Sequence, residues 1–176
     1  LGRTVIYADA LARDLMESDP EVRKEVTAAF GPEAYRPDGT LNRVYLAEKI
    51  FSSVKHRKRM NGIVHPFVFQ AIDRIIESKL GVGDDPYVLI EAALIYESGM
   101  DEMLDVVLLI DAPVEIRAAR IAARDGLGTD EIKRRIESQA PTDSLRAKAD
   151  FVLDNIGDFA SLAPKVAFFD KLFMAI

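Results

Sequence analysis

The residues of this chain that could do chemistry fall into two sets: acids at the ends of apolar runs, and arginines at helical spacing. Asp9 follows the run Thr4-Val5-Ile6-Tyr7, and the segment 91–97, with Glu91 and Glu97, follows Tyr87-Val88-Leu89-Ile90. Asp111 closes Val106–Ile110, and Asp154-Asn155 closes Phe151-Val152-Leu153. In open α/β sheets ligands bind beyond the carboxyl ends of the strands, so each acid stands where a substrate could reach it. Asp9 has two readings. It is a helix N-cap taking backbone N–H bonds from Leu11 or Ala12, or it is a general base within reach of a substrate hydroxyl. Glu97 is either a strand-end carboxylate or part of a Glu97-Ser98-Gly99 turn.

Arg117, Arg120 and Arg124 fall at i, i+3 and i+7, which puts three guanidiniums on one helix face. Guanidinium forks match phosphate oxygens bidentately, so this face suits a phosphate clamp. A solvated surface helix has the same spacing. Gly126 and Gly128 break the helix directly after Arg124-Asp125, as a mobile lid would need. His65 precedes Pro66 between the apolar Val64 and Phe67, and is read as packed or capping at a helix start. Lys55-His56-Arg57-Lys58-Arg59 has the composition of a nucleic-acid patch. It is read here as a solvated helix face.

These residues need elements to hold them. A short strand is expected over residues 3–7 and helix over 10–30, interrupted by the cap-and-proline pair in Ser18-Asp19-Pro20. Phe30-Gly31-Pro32 ends that unit, and Pro37-Asp38-Gly39 is a turn. Helical patterns follow at 40–51, 53–62 and 66–79, then a loop from Gly81 to Pro86. Strands at 87–90, 106–110 and 151–155 alternate with helices at 114–124, 129–138 and 158–175. Continuous apolar runs point to a parallel sheet covered on both faces. The alternation indicates an α/β domain. The helical stretch from 10 to 80 reads as a subdomain inserted between two strands.

The chain has 176 residues, enough for one domain with a real core. A net charge of −6 argues against general nucleic-acid binding. No cysteine is present, which excludes disulfides, thiolate metal sites and cysteine nucleophiles, and two histidines leave little for a histidine metal site. No apolar stretch approaches the roughly 18 residues of a membrane span, and no signal-peptide pattern is visible. A cytoplasmic protein without nucleic-acid or membrane partners is expected, as a monomer or weak homo-oligomer. Leu1-Gly2 reads as the tail of a helix whose body lies upstream.

Taken in order, these segments resemble the dephospho-coenzyme A kinase family. Val5-Ile6-Tyr7-Ala8-Asp9-Ala10-Leu11-Ala12-Arg13 is similar to the family's V-I-D-A-D-x-x-A-R. Asp38-Gly39-Thr40-Leu41, Val64-His65-Pro66, Tyr96-Glu97-Ser98-Gly99 and Arg120-Ile121-Ala122-Ala123-Arg124-Asp125 follow in family order. So do Gln139, Ala149-Asp150 and Asp154-Asn155-Ile156-Gly157. The resemblance implies a three-layer P-loop NTPase-like fold, a parallel sheet flanked by helices. It would form a single kinase-like domain over 1–176, with a helical CoA-binding subdomain at 10–80 and a lid at 124–142. It implies transfer of the ATP γ-phosphate to the ribose 3′-hydroxyl of dephospho-CoA, the last step of coenzyme A synthesis, with Mg²⁺ as cofactor. Such chemistry needs positioning and charge neutralisation more than covalent catalysis.

By matching position, Asp9 is the catalytic aspartate that accepts the hydroxyl proton. Asp9, Arg13, Arg43, His65 and Glu97 fall on the substrate side. Arg117, Arg120 and Arg124 belong with the ATP phosphates and lid, and Asn155 and Gly157 with the loop near the adenine. The chain departs from the pattern in four places. It contains no G-x-x-x-x-G-K-[ST], the phosphate loop that would also hold Mg²⁺. In the family that loop comes before the segment that begins here, in a strand–loop–helix unit of roughly 25 residues. Without it no metal ligand is assigned beyond Asp9 as a candidate, and the chain as it stands is expected to be inactive. Tyr7 replaces the first of two family aspartates. Ala93 stands where many relatives have proline, and Leu145 where a basic residue is usual, with Arg146 beside it. The alternatives are a non-catalytic nucleotide- or CoA-binding remnant and another small-molecule P-loop kinase.

Overall fold

The computed structural model describes residues 2–80, 85–137 and 141–176. Leu1, the Gly81–Asp84 part of the expected loop, Ser138 and Gln139 lie outside the described residues. Two compact units are present, Leu1–Ala93 and Leu94–Ile176.

In the first unit, strand β1 (Val5–Tyr7) pairs in parallel with β2 (Leu89–Glu91), with Val5 opposite Leu89 and Tyr7 opposite Glu91. Four helices lie between them in sequence: α1 (Ala8–Ser18), α2 (Pro20–Phe30), α3 (Arg43–Ser52) and α4 (Val54–Leu80). The break between α1 and α2 is chemical. Asp19 accepts N–H bonds from Glu21 (2.9 Å) and Val22 (3.1 Å), and Pro20 supplies a first helical residue with no N–H to satisfy. Helix α2 ends at Gly31, whose φ of 93° favours glycine. The Asp38 carboxylate then takes the Thr40 N–H (2.9 Å) and hydroxyl (2.7 Å), which pins the Pro37-Asp38-Gly39 turn.

Helix α4 packs on α1, α2 and α3. Ile72 of α4 and Val22 and Val26 of α2 are fully buried, each stabilising by about 1.5–3 kcal/mol. The expected break at Pro66 does not occur, and α4 runs through it for 27 residues. Proline removes its own N–H bond and crowds the carbonyl of residue i−4. Here that residue is Gly62, and packing along the rest of α4 outweighs the loss. The strands also differ from expectation. Ile6 is buried while Val5 and Tyr7 are exposed, as are Leu89 and Glu91. A continuous apolar run here is covered on one face, with burial alternating at the strand period.

In the second unit, β3 (Leu108–Asp111) pairs in parallel with β4 (Phe151–Asp154), with Asp111 opposite Asp154. The Asp150 carboxylate accepts the Val107 N–H at 2.8 Å and so sets the register at the strand start. Helices α5 (Ile95–Ser98), α6 (Val114–Asp125), α7 (Thr129–Glu137), α8 (Thr142–Lys148) and α9 (Phe159–Phe173) complete it. Helix α8 has no counterpart among the expected elements, because seven residues are too few to show a helical period. Leu153 is buried, and Phe151 packs edge-on against Phe169 of α9 with ring centroids 5.7 Å apart. Among the described residues no helix is long and apolar enough to cross a membrane.

Candidate active site

Asp9 sits in the first turn of α1, immediately beyond the carboxyl end of β1, and is exposed. The cap reading is overturned. Tyr7 is the N-cap and supplies no side-chain bond, because the helix begins at Ala8 and places Asp9 inside it. Among the described residues no group donates to the Asp9 carboxylate; only its backbone carbonyl is used, by Arg13 Nε at 3.2 Å. A carboxylate free of cap duty, held on a rigid helix at a strand end, has the placement a general base needs. Glu91 ends β2 in register with Tyr7, so a second exposed acid marks the same edge.

The other residues of this unit divide. His65 lies inside α4, not at a helix start, and stacks on Phe69 one turn on, with ring centroids 5.9 Å apart. Burial holds its imidazole below the ordinary histidine pKa. Arg43 opens α3 and pairs with Glu17 at the end of α1 (2.8 Å), which ties two helix ends together. Arg13 is exposed on α1.

In the second unit Glu97 is not a strand-end carboxylate. It is exposed on the single turn of α5, which Gly99 closes at a φ of 76°. Nor do the three arginines of α6 act as one face. Arg117 turns toward α8, where Nη2 donates to Thr142 Oγ1 at 3.2 Å and Nε is buried with no partner among the described residues. Arg120 donates from Nη1 to the Asn155 carbonyl and from Nη2 to the Gly157 carbonyl, both at 2.9 Å. Arg124 forks onto Asp125 (2.6 and 2.9 Å), which also receives Arg135 at 2.9 Å. The Arg124 hydrogen bond, reinforced by the charge of Arg135, holds the Asp125 carboxyl below the usual carboxylate range. Side chains three and four residues apart share a face only until their long stems find different partners.

The Asn155–Gly157 loop is fixed from several sides. The Asn155 N–H donates to the Asp111 carbonyl at 2.7 Å, and Lys165 of α9 donates to the Asp154 carbonyl at 2.9 Å. Gly157 is closely approached: a Cβ there would lie 3.2 Å from Ser161 Cβ and closer still to its hydroxyl, so the Ser161 side chain would have to shift. Sequence reasoning missed Arg146 of α8, which donates from Nη1 to both Asp111 (2.6 Å) and Asp154 (2.9 Å). The one signal in the sequence is a basic residue beside Leu145, the position where the family usually has one.

Mg²⁺ takes oxygen ligands and is commonly held by one or two carboxylates plus substrate phosphates. Among the described residues no cluster of three or more acids or histidines could hold a metal alone. The unengaged Asp9 carboxylate fits the role of a single protein ligand.

Comparison with known proteins agrees with this arrangement. A family model described as dephospho-CoA kinase matches residues 1–161. The dephospho-CoA kinase of Salinibacter ruber is 40% identical over 166 residues, 94% of this chain and 83% of that protein. That of Anaeromyxobacter dehalogenans is 37% identical, over 93% of this chain and 77% of its own. Among solved structures, TT1252 from Thermus thermophilus superposes with a TM-score of 0.77 at 33% identity, covering 96% of this chain and 85% of that one. The dephospho-CoA kinase from Campylobacter jejuni shares the fold, with a TM-score of 0.68 at 24% identity over 99% and 87%. The expected α/β class, parallel strands flanked by helices, is borne out. The chain belongs to the dephospho-CoA kinase family.

Proposed function

We propose that the full-length protein carrying this chain transfers the γ-phosphate of ATP to the 3′-hydroxyl of dephospho-CoA. The observation that carries the reading is Asp9: an exposed carboxylate at the end of β1, held in the first helical turn and relieved of capping. Asp9 accepts the proton of the ribose hydroxyl as its oxygen attacks phosphorus, and the bond to the ADP leaving group breaks in line. Mg²⁺ bound with ATP would neutralise phosphate charge, and Asp9 would serve as one of its ligands.

The remaining roles belong to the same proposal. The helical stretch 10–80 between β1 and β2 would receive dephospho-CoA, with Arg13, Arg43 and His65 on that side and Glu97 as a further substrate contact. The segment 124–142 would act as the lid. Arg124 and Arg135 share Asp125, and would exchange that carboxylate for phosphate oxygens when ATP binds. Arg117 and Arg120 hold α8 and the Asn155–Gly157 loop in place for the nucleotide. The proposal includes a cytoplasmic enzyme, monomeric or weakly associating.

The test is ATP-dependent formation of CoA by the full-length protein. CoA formation with dephospho-CoA, and none with nucleosides or nucleoside monophosphates as acceptors, supports the assignment. Binding of both substrates without turnover would make the protein a non-catalytic remnant. Turnover of nucleoside monophosphates in preference would make it a different small-molecule kinase.

A further inference from the structure

Strands β3 and β4 end side by side in two acids, Asp111 and Asp154, paired in register. Both carboxylates face one nitrogen, Nη1 of Arg146, at 2.6 and 2.9 Å. The Asp111 side chain is only 15% exposed, whereas that of Asp154 is 55% exposed, so the clasp reaches from the sheet interior to its rim. The next residues are the Asn155–Gly157 loop, whose first N–H is bonded to the Asp111 carbonyl. Two adjacent carboxylates at the carboxyl end of a parallel sheet would repel a polyanion arriving there. Arg146 cancels one of the two charges. It also ties α8, which begins at the end of segment 124–142, to the ends of both strands.

We propose that Arg146 is a positioning residue for the nucleotide. Its guanidinium clasps the terminal carboxylates of β3 and β4, removes their repulsion of the triphosphate and holds the Asp154–Gly157 loop in register. This inference rests on the kinase reading above. A contribution to folding alone would affect both substrates alike, whereas a clasp beside the Asn155–Gly157 loop, proposed for the nucleotide, acts chiefly on ATP.

The experiment compares full-length wild type with Arg146→Met, Arg146→Lys and the triple variant Arg146→Met/Asp111→Asn/Asp154→Asn. Readouts are kcat and the KM of each substrate at low and high salt, with a thermal melt to confirm folding. Arg146→Met is expected to raise the KM for ATP about five- to tenfold at low salt and less at high salt, where the repulsion is screened. The KM for dephospho-CoA is expected to stay within about twofold, because the residues proposed for that substrate lie outside this acid pair. Arg146→Lys recovers most of the loss because one cation still serves both acids. The triple variant returns ATP binding to near wild type. An unchanged KM for ATP in Arg146→Met overturns the proposal, as does an equal, salt-independent rise in both KM values with a lowered melting temperature. Should Arg146→Met fail to fold, weak ATP binding by the folded triple variant overturns it. A wild type that turns over no ATP overturns the kinase reading and this inference with it; an active wild type with an indifferent Arg146→Met overturns the inference alone.

Discussion

Replacing Asp9 separates its catalytic role from a structural one. Asparagine caps helices as well as aspartate, so Asp9→Asn removes charge and basicity while retaining any cap, and Asp9→Ala removes both. Because Tyr7 is the N-cap and no group among the described residues donates to the Asp9 carboxylate, little stability depends on it. What remains is attraction to the positive end of α1, about 0.3–1 kcal/mol for a surface carboxylate in the first turn. A cap would instead cost about 1 kcal/mol in the alanine variant and almost nothing in the asparagine variant. The catalytic expectation is far larger. A positioned base contributes about 10²–10⁴ in rate, or about 2.7–5.5 kcal/mol of barrier. Both variants are therefore expected to lower kcat at least about 100-fold, with the KM for dephospho-CoA little changed and near-equal denaturation midpoints. The assay is steady-state ADP release at saturating ATP and dephospho-CoA, beside urea melts of the same preparations. Asp9→Asn turning over within a few-fold of wild type would refute the base assignment. An alanine variant destabilised while asparagine is not would restore the cap.

Three further outcomes are expected. Gly157→Ala forces a Cβ against Ser161 and should cost about 1 kcal/mol or more in the melt, while weakening ATP binding; adding Ser161→Ala should recover part of both. Ile72→Ala opens a cavity where α4 meets the other helices of the first unit, and should lose about 2–5 kcal/mol in denaturant unfolding without changing kcat of the folded fraction. Burial depresses the folded-state pKa of His65 below 6.5, so the unfolded chain binds more protons below that value and stability falls as pH drops through it. His65→Phe should lose less stability between neutral pH and pH values below 6.5 than wild type, and an equal loss would remove His65 as the cause.

Element types were legible because their signals are local. Asp19-Pro20 caps α2, Gly31 ends it and Asp38 pins its turn through neighbours only two or three residues away. Acids at strand ends were legible for the same reason, and Asp9, Asp111 and Asp154 stand where the apolar runs predicted an end. Pro66 misled because a local rule was opposed by packing along the whole of α4. The arginines of α6 misled because spacing describes where stems leave a helix, not where guanidiniums arrive.

By itself the amino-acid sequence determined the alternation of strands and helices, the acids closing the strands and the family resemblance. Tertiary structure alone decided that Asp9 lies within α1 instead of capping it, since helix ends depend on where backbone bonds begin. It alone decided that Arg146 joins Asp111, 35 positions away in sequence, to Asp154. No period or spacing records such a pairing. It forms because parallel pairing of β3 and β4 brings two acids together, and a charged pair at a sheet end draws in the nearest cation.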